Sequence, residues 1–580
     1  MTRWKPNCAA LVPRLSVSKP NLLQRLGRFS LSPWQAILLL SLYMGWLLNA
    51  VVFMRRYAEL SNTHVANTLL AELGLVFTFT ALLLSLADLS GKWLARVFVS
   101  LLLIISVLAS YYMTFFNVVI GYGVVQAVLT TDVDLSKEAV GVGLLAWFVG
   151  LALIPLALWW RYVQVDRKPA RHWLGWIKKM GAQIALMAVF AGGFGAIAQH
   201  LNADPDPSLP ASIGQDIGQA TLAAHTYVPS NWVAGLGMSA SNAWDSWKNN
   251  KDLLDPAKRF QYAESPALDD VYVVVVIGES ARSNNFGLLG YERPTTPLLA
   301  QEKNLVAFKA TSCNTSTKLS LQCMFVRPQG VVERGLQAPQ VLEEPVFSVL
   351  DKLGFSTELF AMQSEVWFYN SLKTDFYKIR EVIAADPAHR GQPMVDAILT
   401  SEMNASIAKH PQGHHAIVLH TKGSHFSYTS RYPREFAKYQ PECDGVDGAC
   451  SKAQLINSYD NSILYTDSFL HSLMHSLANK KAILIYTSDH GESIDENRHF
   501  HATPKPLAPP EQLAVPLLFW ASDAFLNASP AQKKAFEQLK IAAKSPQTAA
   551  SHHHLFDSML GCLGITSNNG GINAKYNLCH

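Results

Sequence analysis

Five apolar runs in the first third of the chain leave that part only one kind of fold. They are Trp34–Met54, Thr68–Ala87, Val97–Phe116, Gly141–Trp160 and Met180–Ala198. Each is close to the roughly 20 apolar residues that a helix needs to cross the hydrocarbon core of a bilayer. In that medium a backbone must satisfy its own polar groups, so residues 34–200 are expected to form five transmembrane helices. The first run is not read as a cleaved leader, because a long basic arm precedes it and four more runs follow. The runs are read as free of interior ionisable residues, and so as no path for ions. Composition agrees. Of 580 residues 49% are hydrophobic and only 16% charged, against about 25% charged in an average globular protein. A net charge of +4 is too weak for a nucleic-acid binder, and this apolar content excludes a disordered chain.

Basic residues set the orientation. The arm 1–33 holds Arg3, Lys5, Arg14, Lys19, Arg25 and Arg28 with no acid, and the loop before the fifth run holds Arg161, Arg167, Lys168, Arg171, Lys178 and Lys179. The alternate loops offer only Arg55 with Arg56, and Lys137. The positive-inside rule makes 1–33 a cytoplasmic arm and places everything after residue 200 on the far, periplasmic side of a bacterial inner membrane. The apolar, glycine-containing stretch Phe116–Asp134 reads as an interfacial or re-entrant segment, or else as an extended loop. Residues 201–267 read as a linker that opens Asp204-Pro205-Asp206-Pro207. Within it Trp232, Leu236, Met238 and Trp244 predict an amphipathic helix over Asn231–Trp247.

From residue 268 to 580 the texture is that of a soluble domain. Val271–Ile277, Ala416–His420, Ala482–Thr487 and Val515–Trp520 are short β-branched apolar runs, as in strands buried on both faces. Helical patterns at Val346–Leu353 and Ile456–Leu477 lie between them. The alternation predicts an α/β domain with a mostly parallel sheet, whose ligands sit beyond the carboxyl ends of its strands. Three strands do end in ligand-type residues: Gly278-Glu279-Ser280, Gly423-Ser424-His425 and Ser488-Asp489-His490-Gly491-Glu492. Six of the 7 cysteines follow the fifth run. Many connectivities are open to them, but spacing favours Cys313 with Cys323, Cys443 with Cys450 and Cys562 with Cys579. Disulfides suit an oxidising compartment such as the periplasm.

Asp489, His490 and Glu279 are donors suited to zinc or a similar divalent ion. The hydroxyl-rich stretch Thr311–Ser320 reads as a loop entering a helix, where a metal-bound hydroxyl can become a nucleophile. Spacing alone does not choose among Thr315, Ser316, Thr317 and Ser320. His552, His553 and His554 read as a solvated helix start, His414-His415 as surface, and His471 and His475 as a helical pair lacking a third ligand.

The blocks GESARSNNFGLLGYERPTTPLL, TSCNTSTKLSLQCMF, HTKGSHFSYTSRYP, INSYDNSILYTD and SDHGES, in this order, resemble the lipid phosphoethanolamine transferases of the alkaline phosphatase and sulfatase superfamily. MTFFNVVIGYG, TTDVDLSKE and the tail MLGCLGITSNNGGIN resemble those members that modify the Kdo sugar of lipopolysaccharide. The resemblance implies a sulfatase-like fold behind five membrane helices. It also implies zinc held by Glu279, Thr317, Asp489 and His490, with a second ion as an alternative. Thr317 would be the nucleophile, with His425 and His501 near the phosphate; His499 competes with His501 for that alignment. Glu492, Lys318 and Thr315 would belong to the substrate pocket. The implied reaction moves phosphoethanolamine from phosphatidylethanolamine to a sugar hydroxyl of Kdo2-lipid A through phospho-Thr317, releasing diacylglycerol, in a monomer that binds membrane lipid and no nucleic acid. The product offsets negative charge and so weakens attraction of cationic antimicrobial peptides. Asn314 and Lys318 depart from the family pattern, and the polar pocket residues expected near Met362-Gln363-Ser364-Glu365 are not clearly matched. Competing readings are transfer to a lipid A phosphate, a glycerol-phosphate transferase and a non-catalytic membrane assembly protein. A sulfatase activity fits poorly, because Cys313-Asn314-Thr315-Ser316-Thr317 lacks the Pro and Arg of that nucleophile motif.

Overall fold

The computed structural model describes residues 29–59, 63–130, 140–166, 173–203, 218–248, 253–264, 268–445, 450–494 and 499–580. The basic residues of the arm together with Cys8, and residues 131–139, 167–172, 204–217 and 495–498, lie outside these. That covers Asp132, Asp134, Lys137 and the Asp-Pro pairs of the linker.

Five helices are long and apolar enough to cross a membrane: Pro33–Arg56, Ala66–Leu89, Lys92–Phe116, Val142–Tyr162 and Met180–Ala203. Each contains one of the five runs, save that Gly141 caps the fourth helix from outside. Met44, Ala81, Val107 and Ala152 pack inward, while Leu39, Leu101, Leu153, Ile184 and Val189 face outward. A helix that is apolar all round suits lipid on its outer face.

Contrary to expectation, the second run carries an interior charge. Glu72 lies inside the second helix and is 1% exposed. Its carboxylate accepts two bonds from the Arg56 guanidinium, both 2.7 Å, and one from the Tyr227 hydroxyl at 2.5 Å. Asn49 of the first helix adds a second tie, donating to the Val228 carbonyl at 2.8 Å and accepting from the Val228 N–H at 2.9 Å. The charge is therefore no ion path: it pins the linker to the membrane helices. Glu72→Ala removes the bidentate partner of a largely buried guanidinium, and breaking such a pair costs about 3 kcal/mol. The expected outcome is a lower melting midpoint for the full chain in detergent, and an unchanged midpoint would refute the pin.

The linker continues as helices Gln219–Thr226 and Ser230–Lys248, the latter over the stretch predicted to be amphipathic. The segment after the third membrane helix is not an extended loop. Asn117 turns left-handed at φ 52°, ending that helix, and Tyr122–Thr130 forms a further one. This short helix packs against Ser230–Lys248, where a side chain on Gly235 would meet Val125 at 2.6 Å.

The remaining domain is built on an eight-stranded sheet. Its strands are β1 (Tyr272–Gly278), β2 (Leu305–Thr311), β3 (Ser356–Ala361), β4 (Phe376–Lys378), β5 (His415–His420), β6 (Ala482–Ser488), β7 (Ala514–Ala521) and β8 (Ala550–Ser551). Their spatial order is β8-β2-β7-β6-β1-β5-β3-β4. The β6-β1-β5-β3-β4 block is parallel, and β7 runs antiparallel to both β6 and β2. Every residue of β1 and β6 is buried. Their side chains alternate between two cores: Val273, Val275 and Ile277 enter one, Tyr272, Val274 and Val276 the other. Period-two alternation with both faces covered is why these strands read as continuous apolar runs. The predicted helices occur at Phe347–Lys352 and Lys452–Leu477, the second opened by a Ser451–Gln454 capping box. Cys313–Cys323, Cys443–Cys450 and Cys562–Cys579 are disulfide-bonded.

Candidate active site

Strand register builds the centre. Ser488 pairs with Gly278, and Ile277 with His420, so three parallel strands end level with one another. The next residues, Glu279 and Asp489, are thereby neighbours although far apart in sequence. The loop after β5 crosses them closely. A side chain on Gly423 would meet the Glu279 carbonyl oxygen at 2.5 Å, and its φ is +52°; only glycine fits this approach. The Asp396 carboxylate holds this loop by accepting from the Lys422 and Gly423 N–H groups at 2.7 and 2.9 Å.

Thr317 is the first residue of the helix Thr317–Cys323. Its hydroxyl donates to Glu279 Oε2 at 3.0 Å and lies 3.3 Å from His490 Nε2. His490 Nε2 is also 3.4 Å from Glu279 Oε1 and 3.3 Å from Asp489 Oδ2. The His490 Nδ1 proton goes to the Gly491 carbonyl at 2.8 Å, which leaves the Nε2 lone pair facing the cluster. Ligand atoms of Glu279, Asp489 and His490 lie within 4.8 Å of one another, all three residues being buried.

These donors fit a divalent cation. Asp489 Oδ2 is buried and receives no hydrogen bond. Burial raises the Asp489 carboxyl well above its usual range, and Glu279 beside it adds to the rise. Burial opposes ionisation of Glu279 too, but the neighbouring imidazoles and the Gln363 amide outweigh it and hold that group low. Burial, with His501 nearby, pushes His490 down to about 4, keeping the imidazole neutral. Two carboxylates, a neutral imidazole and a hydroxyl thus converge with lone pairs inward, which is a zinc-type donor set.

Two further histidines border the cluster. The His501 ring is 4.3 Å from that of His490, and its Nδ1 bonds Glu492 Oε2 at 3.0 Å. Burial lowers His501, but Glu492 outweighs it and the net direction is upward. The His425 ring is 5.5 Å from that of His501, and burial takes it well below its usual value. His499 is elsewhere: its N–H donates to the Phe116 carbonyl at 2.9 Å and its ring stacks on Phe116. Thr315 donates its hydroxyl to the Thr503 carbonyl at 2.6 Å, inside the protein. Lys318 is half-buried, and its Nζ donates to Gln126 Oε1 at 2.8 Å. Burial lowers its ammonium group while Glu365 works upward.

Two residues escaped the sequence reading. Gln363 Nε2 donates to Glu279 Oε2 at 2.7 Å and to the Thr421 carbonyl at 2.9 Å. It follows β3, a strand not recognised in the sequence; had β3 been seen, the strand-end rule would have flagged Gln363. The second is His552, which is not the solvated residue expected. It is fully buried, accepts from the Cys313 N–H at 3.2 Å and bonds the Ser488 carbonyl at 2.9 Å. It therefore braces the loop before Thr317 against the strand before Asp489. Truncating it leaves a donor and an acceptor buried without partners, at a cost of about 2 kcal/mol or more. His552→Ala should accordingly lower the melting midpoint, and a midpoint equal to wild type would remove His552 from this role.

A second group of metal-type side chains, Asp386, His389 and Glu402, differs in kind. Lys378 Nζ already lies 3.0 Å from Glu402 and 3.3 Å from Asp386, so a resident cation balances the acids.

Comparison with known proteins agrees with this architecture. Residues 272–565 match the Sulfatase family, and residues 75–200 match the family described as phosphoethanolamine transferase EptA/EptB. The chain is 45% identical over 548 residues to the Kdo(2)-lipid A phosphoethanolamine 7''-transferase of Escherichia coli K12, covering 93% of this chain and 96% of that one. It is 45% identical over 552 residues to the protein of the same name from Salmonella typhimurium. Among solved structures, the integral membrane lipooligosaccharide phosphoethanolamine transferase A of Neisseria meningitidis superimposes with a TM-score of 0.78 at 27% identity, covering 95% of this chain and 98% of that one. With five membrane helices ahead of a sulfatase-like domain, this chain belongs to the phosphoethanolamine transferases.

Proposed function

We propose that this enzyme transfers phosphoethanolamine from phosphatidylethanolamine to a sugar hydroxyl of Kdo2-lipid A, at the periplasmic face of the inner membrane, with the N-terminus in the cytoplasm. The observation that carries the chemistry is the convergence of the Thr317 hydroxyl with Glu279, Asp489 and His490 at the ends of adjacent strands. The relatives named above carry the choice of acceptor.

Glu279, Asp489, His490 and Thr317 would hold zinc, which when bound supplies a Lewis acid for the threonine oxygen and for charge on the phosphoryl oxygens. The protein's own residues perform the rest. Thr317 Oγ1 gives up its proton to solvent and forms a bond to phosphorus, and the bond from phosphorus to the glycerol oxygen breaks. His501, oriented by Glu492, gives that oxygen a proton, and diacylglycerol leaves. A sugar hydroxyl of the acceptor then passes its proton to a histidine of the His425–His501 pair and bonds to phosphorus. The Thr317 oxygen departs and regains its proton from solvent, while the histidine keeps the proton of the sugar hydroxyl and so replaces the one given to diacylglycerol. Gln363 and Ser280 fix the two Glu279 oxygens, at 2.7 and 2.8 Å, so the carboxylate does not rotate between steps. Glu492 orients His501 rather than touching substrate, and Thr315 ties its loop to the Thr503 carbonyl.

The test is transfer by purified full-length chain in detergent, with phosphatidylethanolamine as donor and Kdo2-lipid A or Kdo-free lipid A as acceptor. A phosphoethanolamine-sized mass gain on the Kdo-bearing acceptor alone is expected. A gain on Kdo-free lipid A of equal extent would move the acceptor site to a lipid A phosphate, and diacylglycerol release with no acceptor product would reduce the enzyme to a phosphodiesterase.

A further inference from the structure

The nucleophile sits on a seam between the two halves of the chain. A side chain on Gly121 would meet Pro504 Cγ at 2.5 Å, and one on Gly123 would meet Ser316 Oγ at 3.3 Å and the Ala502 carbonyl at 3.4 Å. The backbone of Gly121–Gly123 thus lies against the residue before Thr317 and the residue after His501. Tyr122 packs with Leu319 and Ala338, and one turn on Gln126 accepts from Lys318 Nζ at 2.8 Å. The helix Tyr122–Thr130 is therefore a wall of the active site.

Lys318 is unusual in this wall. It is the second residue of the helix Thr317–Cys323, where a cation opposes the positive end of the helix dipole. The helix dipole does not stabilise that charge, and its hydrogen-bond partner is a neutral amide rather than a carboxylate. Glu365, the acid whose charge supports the ammonium, accepts the indole N–H of Trp367 at 2.5 Å. An ammonium held beside the nucleophile by an amide is placed to meet an incoming anion. The donor head group is a zwitterion, whose phosphate belongs to the Thr317 cluster and whose own ammonium is repelled by Lys318. An acidic sugar carries a carboxylate and no cation.

We propose that Lys318, positioned by Gln126 of the helix after the third membrane helix, recognises the carboxylate of an acidic sugar on the acceptor and makes the second half-reaction selective for it. This rests on the proposed transfer to Kdo2-lipid A and names the residues that would choose it. Gln126 is a positioning residue. Lys318 acts on the saccharide, so its loss separates the two half-reactions.

The experiment measures both half-reactions in the full-length chain. Labelling of Thr317 by phosphatidylethanolamine is followed by mass spectrometry, and transfer is followed with Kdo2-lipid A and with its carboxylate methyl ester. Wild type is expected to show an acceptor KM about tenfold higher for the ester, as for loss of one charge-assisted contact. In Lys318→Met the KM for the free carboxylate should rise to match the ester, while the rate of Thr317 labelling falls by a smaller factor. Lys318→Arg should restore part of the discrimination, and Gln126→Leu should lose part of it. Equal loss of labelling and transfer in Lys318→Met would make this lysine a donor phosphate clamp and overturn the proposal. Retained discrimination in Lys318→Met overturns it alone. A wild-type chain that labels Thr317 yet transfers to no saccharide overturns the acceptor assignment and this proposal together.

Discussion

Alanine at residue 317 will leave the enzyme unable to take phosphoethanolamine from phosphatidylethanolamine. The Thr317 hydroxyl is the only hydroxyl placed within 3.3 Å of both Glu279 and His490 among the described hydrogen bonds. Ser316 and Ser320 cannot replace it. Ser316 precedes the helix with an extended backbone, and the Ser320 hydroxyl bonds the Asn314 carbonyl at 3.0 Å. Removing a nucleophile from a preorganised site costs on the order of a thousandfold or more in rate. Mass spectrometry of the Thr317 peptide after incubation with phosphatidylethanolamine and zinc should show a phosphoethanolamine-sized adduct, absent in Thr317→Ala. Thr317→Ser keeps an oxygen at the same place and should retain measurable labelling. Diacylglycerol release by Thr317→Ala at a rate near wild type would show that the covalent route is wrong.

The second large effect concerns Asp489. Its Oδ2 is a buried oxygen without a hydrogen bond, beside a second buried carboxylate. Asp489→Asn keeps the shape and removes the charge. Zinc content, measured on the purified chain by elemental mass spectrometry, should fall at least about tenfold, as for loss of a metal ligand or its partner. Transfer should fall with it. A ligand at a hundred times its dissociation constant stabilises the folded state by about 2.7 kcal/mol, so zinc should raise the melting midpoint of wild type and not of Asp489→Asn. The metal-free variants invert this order. Without a cation, Asp489→Asn relieves a buried like-charge pair, so chelated Asp489→Asn should melt no lower than chelated wild type. A variant that binds zinc as wild type does would exclude Asp489 from the metal site.

Much of the architecture was legible because it rests on periodicity. The five membrane helices follow from run length, since lipid forces each apolar run to satisfy its own backbone. Strands β1, β5, β6 and β7 follow from β-branched runs buried on both faces. The direction of β7 did not, because an apolar run carries no sign of whether its neighbour is parallel. β2, β3, β4 and β8 carry no such run: Leu305–Thr311 includes Lys309, Ser356–Ala361 includes Glu358, and Phe376–Lys378 and Ala550–Ser551 are only three and two residues long. With β3 missing, Gln363 had no strand end to be assigned to. Glu72 is a charge inside an apolar run, where the hydropathy of about 20 residues outweighs a single carboxylate. Only its partners Arg56 and Tyr227 explain how it is tolerated.

The ligand-type residues were visible at strand ends, each from its local run. By itself the amino-acid sequence determined which segments cross a membrane, which strands are buried and which side chains could donate to a metal, because these depend on short-range pattern and side-chain chemistry. Tertiary structure decided which of them meet. Register set Glu279 against Asp489, the Gly121–Gly123 approach brought Gln126 to Lys318, and a buried bond from Cys313 to His552 joined residues 239 apart in sequence. Such pairings arise from packing between distant segments, and no local pattern in the chain encodes a distance between them.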